Sequence, residues 1–267
     1  MDSPEIVTLV IHHPDRPLLC LEACLASLSV ATKRSHLITL FVQGPIGSLG
    51  ELHLADLGID NTTDVVFLGE HMGPVLPRVL SVQVALKEKA QWWAKLDDDG
   101  EVHAGTWDLL IESIQDAGEE IGCAMANPNH NASPKELVTV GGAVVLEESA
   151  GGREGGDGER IKWRECGFVG DGATVFRTEM FEDGIRYDPE FIRGADIDLA
   201  MQAQMYGYRA LMCDPPHSIH NHHECTTKKY ERVRYDAEEV WKAARRFREK
   251  WGMDCPHLSQ FGPRKGQ

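Results

Sequence analysis

The sequence predicts an α/β protein, a single main domain with a mostly parallel central sheet flanked by helices and a helical extension at its carboxy-terminal end. Short β-branched apolar runs of strand length alternate with stretches whose leucines, valines and alanines recur at helical spacing, the arrangement that gives a parallel sheet with helices on its faces. The strand-length runs are continuous, the mark of strands buried on both sides. At 267 residues, with 42% hydrophobic and 26% charged residues, the chain can bury one sizeable core and is not disordered.

The elements follow in order. Ile6 to Ile11 is a first strand: no basic residue precedes it, and it is far too short for a signal-peptide core or a membrane span. The loop HHPDRP leads into a helix from Leu18 to Leu28, with Asp15 placed to cap it and Pro17 suited to its first turn. Leu37 to Val42 and Val65 to Leu68 are the next strands, and Val75 to Ala90 is a helix feeding the segment WWAKLDDDGEV. Thr106 to Ala117 is helical, and Val138 to Leu146 and Ile161 to Phe168 read as strands. Residues 147–160, EESAGGREGGDGER, are glycine-rich, charged and almost free of apolar side chains, which predicts a mobile loop. Asp196 to Tyr206 is a helix and Arg209 to Asp214 a strand. The last helix, Ala237 to Trp251, sets Val240, Ala244, Phe247 and Trp251 on one face for packing on the core or, alternatively, for a homodimer contact. The expected division is a main α/β domain over 1–225 and a packed helical extension over 226–267.

Charge and cysteine usage narrow the function. Lys plus Arg is 27 against 42 Asp plus Glu, a net −15 that disfavours nucleic acid and anionic lipid surfaces as partners. The seven cysteines are scattered without a Cys-x-x-Cys pair, which suggests neither a disulfide framework nor a zinc ribbon and points to a reducing, cytoplasmic setting.

Three clusters carry chemistry. Asp97, Asp98 and Asp99 fall where a strand ends, at the edge of a parallel sheet where ligands bind. On extended backbone Asp97 and Asp99 point the same way, and a divalent cation such as Mg²⁺ or Mn²⁺, brought with a substrate diphosphate, would relieve their repulsion; the plain alternative is a solvated acidic turn. Asp196 and Asp198 open a helix, where acidic residues are also simple dipole partners; two residues apart, they cannot both face one cleft. Four of the twelve histidines crowd into PPHSIHNHHEC, a zinc site with Cys213 or Cys225, a ligand for a harder metal, or a surface loop.

In order, IVTLVI, then HMGPVLPRVLSVQVALKEKAQWWAKLDDDGEV, then GFVGDGATVFRTEMFEDG, then FIRGADIDLAMQAQMYGYRALMCDPPHSIHNHH, the chain from about residue 5 to 223 resembles glycosyltransferase family 2, nucleotide-sugar enzymes of the GT-A fold. The resemblance implies an inverting, metal-dependent transfer from a nucleotide-diphosphate sugar to an acceptor hydroxyl. It implies that Asp97, Asp99 and His220 hold Mn²⁺ or Mg²⁺, with His222 the alternative ligand, that Asp98 lies nearer the ribose, and that Asp196 is the catalytic base while Asp198 supports structure. Arg78 and Lys95 are candidate diphosphate contacts, against the alternative of solvated surface cations, and Asp171 is placed to meet sugar hydroxyls. Two positions depart from the family pattern: Gln43 stands where an aspartate commonly reads the nucleobase, and Ala195 replaces the first acid of the Glu-Asp pair. The competing expectations are a non-catalytic nucleotide-sugar or carbohydrate-binding protein of the same fold, a nucleotidyltransferase, for which HHPDRP lacks the glycine-rich phosphate loop, and a zinc hydrolase built on the histidine cluster.

Overall fold

The first half of the chain builds a four-stranded parallel block in the order β3-β2-β1-β4, from β1 (Ile6–His12), β2 (His36–Val42), β3 (Thr63–Phe67) and β4 (Trp92–Asp97). Residues 3–13, 15–49, 63–130, 151–154, 160–166, 169, 172–191, 193–220 and 237–255 are described by this computed structural model. The predicted strand over Val138 to Leu146, Asp171 and His222 fall outside them. In register, Ile11 lies opposite Asp97 and His12 opposite Val42, so three strands run out at one edge. The loop after β1, Gln43 after β2 and the acidic triplet after β4 therefore share the crevice side of the sheet.

Continuous apolar strands are what burial on two faces requires. Val7 and Leu9 of β1 and Trp93 of β4 join a core with α2 (Val75–Glu88), while Ile6, Val10, Trp92 and Leu96 join a second core with α1 (Leu18–Leu28) and α3 (Thr106–Ala117). The alternation carries Lys95 and Asp97 to the side of Trp93. Asp15 does not cap α1: the N-cap is Pro17, with no side-chain hydrogen bond, and the Asp15 amide instead donates to His13 Nδ1 at 3.2 Å. The loop is organised by its histidines and Arg16, described below.

The second half is mixed. It comprises β5 (Gly100–Val102), β6 (Ile121–His130), β7 (Gly151–Glu154), β8 (Arg160–Cys166), β9 (Thr174–Arg177) and β10 (Arg209–His220), and continues the sheet as β4-β9-β6-β10-β8-β7, with β5 paired to β10. β6 and β10 are parallel, while β9 is antiparallel to both β4 and β6 and β8 is antiparallel to β10. The parallel expectation thus describes the block that ends at the candidate site. β6 and β9 gave no clear sequence signal, because β6 is built on Cys123, Ala124, Met125 and Ala126 instead of β-branched residues and β9 is only four residues long. Of the loop expected over 147–160, Gly151–Glu154 and Arg160 are the described residues, and there Gly151–Glu154 pairs antiparallel with Arg160–Trp163. An edge hairpin is held by backbone hydrogen bonds, which need no apolar side chains.

Two further helices, α4 (Glu179–Glu182) and α5 (Ala195–Met205), precede β10, and α6 (Ala237–Trp251) closes the described chain. Val240, Ala243 and Phe247 of α6 are buried in the same core as Trp93 and Phe176, with Ala244 and Trp251 partly buried beside them. No helix among the described residues is long and apolar enough to cross a membrane.

Candidate active site

The turn between β4 and β5 presents the acidic triplet. Gly100 closes this turn against Leu96, where an added Cβ would stand 2.9 Å from Leu96 Cδ1 and 3.1 Å from the Asp97 carbonyl oxygen, so a side chain there would require the Leu96 side chain to move and the Asp97 carbonyl to give slightly. Asp97 ends β4 half-buried, while Asp98 and Asp99 are buried. Charges this deep require partners, and the loop after β1 supplies them. His12 Nδ1 donates to Asp98 Oδ2 at 2.9 Å, the His13 amide donates to the same oxygen at 3.3 Å, and Arg16 Nη1 lies 3.0 Å from Asp98 Oδ1. Arg16 also pairs with Asp99, so its guanidinium bridges two members of the triplet. The triplet is therefore not a solvated acidic turn.

His12 and Arg16 join this cluster although a capping aspartate and a proline suffice to explain HHPDRP from the sequence. The available signal was positional: the loop leaves the first parallel strand at the edge where β4 ends. His13 sits beside them with its ring centroid 4.8 Å from that of His71. Burial and the neighbouring His71 push its pKa down to about 4, against the upward pull of Asp15 and Asp98, so the ring is neutral at physiological pH. Gln43 is buried close to this corner and accepts a hydrogen bond from the Met72 amide through Oε1 at 2.8 Å.

A second cluster forms around Asp196. Gly194, at φ +76°, is the N-cap of α5, and no side chain caps that helix end, so Asp196 is not serving as a cap. Lys95 Nζ donates to Asp196 Oδ1 at 2.7 Å and Arg78 Nη1 donates to Asp196 Oδ2 at 3.0 Å. The Tyr187 hydroxyl donates to Oδ1 at a longer 3.4 Å. Arg78 enters from the first turns of α2 and Lys95 from β4, and both are buried, which overturns the alternative of solvated surface cations. The Arg78 guanidinium stands over the Tyr187 ring, 5.5 Å from its centroid, and Tyr187 packs edge-on to Trp93 at 5.9 Å. The core aromatics thereby fix the wall on which the cations rest. Because Lys95 and Asp97 share a face of β4 about 6–7 Å apart along the strand, the cation cluster and the end of the triplet are neighbours.

Asp198 goes elsewhere. It is fully buried, accepts from Trp251 Nε1 at 2.8 Å and Gln202 Nε2 at 2.8 Å, and pairs with Lys250 Nζ at 2.8 Å, tying α6 to α5. Arg246 adds a pair to Asp188 at 3.1 Å next to Tyr187. Of the histidine cluster, His220 is in register with Gly100 through the β5–β10 pairing, which brings its backbone beside the triplet. Cys213 belongs to the apolar core, and burial pushes its thiol up to about 12, so the suggested zinc site cannot recruit it without leaving the core. Among the described residues no group of three or more His, Cys, Asp or Glu stands ready to hold a metal ion. The six described cysteines are all buried.

No protein-family model matches the chain, and no curated protein matches it. Among solved structures the chain is similar to the mannosyltransferase PcManGT from Pyrobaculum calidifontis, solved with GDP-Man and Mn²⁺, at TM-score 0.60 and 15% identity over 97% of this chain and 68% of that one. It is similar to S. aureus TarS at TM-score 0.59 and 14% identity, covering 96% of this chain but only 42% of that one. GalNAc-T7 with UDP, GalNAc and Mn²⁺ follows at 0.58 and 17%, covering 97% and 54%. The protein has the GT-A fold of these glycosyltransferases.

Proposed function

We propose that the protein is a nucleotide-sugar glycosyltransferase that moves a sugar from a nucleotide-diphosphate donor to an acceptor hydroxyl with inversion. The observation that carries this reading is the convergence of Lys95 and Arg78 on Asp196, beside the turn that holds Asp97 to Asp99, at the crevice edge of a GT-A sheet. Two buried cations next to a carboxylate supply what the reaction needs: binding of an anionic leaving group and a base close to it.

Lys95 and Arg78 contact the donor diphosphate, Gln43 lines the nucleobase end, and Asp98 fixes His12 and Arg16 so that the rim of the donor site is held. Asp171 meets sugar hydroxyls. Asp196 takes the proton of the acceptor hydroxyl as its oxygen attacks the anomeric carbon. Asp97 and Asp99 would offer the hard oxygens that Mn²⁺ or Mg²⁺ takes once Arg16 yields Asp99, with the backbone of His220 brought alongside by its register to Gly100. When bound, the metal neutralises negative charge on the diphosphate. PcManGT and GalNAc-T7 were each solved with Mn²⁺ and their nucleotide ligands, which supports the same donor class and metal here.

Nucleoside diphosphate release from a panel of uridine- and guanosine-diphosphate sugars, with simple sugar acceptors and Mn²⁺ or Mg²⁺, tests the proposal. Release with at least one donor is expected; no turnover of any donor would count against transfer and favour a binding role.

A further inference from the structure

We infer that Lys95 and Arg78 act as a latch on Asp196: in the free protein they hold its carboxylate, and an arriving diphosphate draws them away, so the base becomes available only once the donor is seated. The inference rests on the proposed glycosyl transfer and adds to it an order of binding.

The geometry carries the argument. Each oxygen of Asp196 has its own cation, Lys95 at 2.7 Å, within the range of charge-assisted hydrogen bonds, and Arg78 at 3.0 Å, just beyond it. The three groups come from β4, α2 and α5, separated by 101 and 118 residues, so no local turn or helix requirement brings them together. Only the tertiary fold does. The side chains of Lys95 and Arg78 are 5% and 7% exposed, and that of Asp196 is 15% exposed. Parting such ions is costly unless another counter-charge takes over, because an uncompensated buried cation is strongly destabilising.

A diphosphate is the chemistry that opens it. It carries more negative charge than one carboxylate and offers several oxygens, enough for the planar guanidinium and the ammonium together. The Tyr187 hydroxyl, 3.4 Å from Oδ1 and rigidly packed against Trp93, remains to orient the released carboxylate. In the step that follows, the acceptor hydroxyl passes its proton to Asp196, its oxygen forms the bond to the anomeric carbon, and the carbon–oxygen bond to the diphosphate breaks with its electron pair. That diphosphate leaves still held by Lys95 and Arg78. While the latch is closed both oxygens of Asp196 are committed, which protects the site from activating water before the sugar donor arrives.

The test is binding of inorganic pyrophosphate, read by calorimetry and independent of turnover. Asp196→Asn, which removes the competing charge, should bind pyrophosphate about tenfold more tightly than wild type, the effect of one like charge roughly 6 Å away at an effective dielectric of about 40. Lys95→Met should lose about tenfold or more, and Tyr187→Phe, which keeps all three charges, should bind as wild type does. Equal or weaker binding by Asp196→Asn overturns the latch. If that variant fails to fold, undiminished binding by Lys95→Met overturns it instead. Should tighter binding be found in a protein that turns over no nucleotide sugar, the latch stands as a diphosphate-controlled ion pair and the transfer reading falls.

Discussion

Asp196 and Asp198 are the same residue type, two positions apart in the first turn of one helix, yet they occupy opposite environments. Asp196 looks into the crevice, where Lys95, Arg78 and Tyr187 meet it. Asp198 is fully buried and gathers Lys250, Trp251 and Gln202. A separation of two residues turns a side chain through about 200° on an α-helix, which is enough to send one carboxylate to the sheet edge and the other to the junction with α6. The contrast teaches that an acidic pair is not a functional unit by itself. The groups that arrive from elsewhere assign each member its work. The cations at Asp196 are poised to exchange for another anion, whereas the partners of Asp198 tie a helix onto the core.

The largest expected effect separates the two in turnover. Asp196→Asn should lower transfer by about 10²–10⁴-fold, the usual contribution of general-base assistance, without weakening diphosphate binding; a steady-state assay with a turned-over donor checks both. Asp198→Ala should leave turnover per folded molecule within a few-fold and lower stability by about 2 kcal/mol, as expected when buried donors lose their acceptor, visible in urea unfolding. If the Asp198 variant lost turnover while keeping its stability, the division of labour between the pair would fail. A smaller effect is expected on the other side of the crevice. Arg16→Ala removes the cation that bridges Asp98 and Asp99, and so should raise Mn²⁺ affinity several-fold, measurable by electron paramagnetic resonance of free Mn²⁺.

Neither aspartate governs the last prediction, which makes it a control on the comparison. Burial pushes His36 down to about 4, and burial with His71 does the same to His13, against an ordinary value of 6.5. Between those values the unfolded chain binds more protons than the folded one. Stability should therefore be complete above about pH 6.5 and decline as the pH falls toward 4. Urea midpoints measured from pH 7 to pH 4.5 should show the same slope in wild type and in both aspartate variants.

Much of this is legible in the sequence. Continuous apolar runs separated by helical spacing predicted the parallel block, and consecutive carboxylates at a strand end located the triplet. The two-residue spacing already implied that Asp196 and Asp198 must part. What stayed hidden depends on contacts remote in sequence. Arg16 and His12 reach Asp98 across the gap between two parallel strands, and Lys95 and Arg78 reach Asp196 from elements that share no local pattern with it. A hint was present for the last two: each cation is embedded in an apolar stretch, WWAKLD and VLPRVL, where burial is more natural than solvation. β9 and the β7–β8 hairpin were hidden for a different reason, since short or glycine-rich strands are specified by neighbours more than by their own composition.

The central claim is that Asp196 serves as the base of a single-displacement sugar transfer, and the anomeric configuration of the product tests it most directly. Proton NMR of the glycoside formed from a turned-over nucleotide sugar should show the configuration inverted relative to the donor. A product of retained configuration would contradict the account.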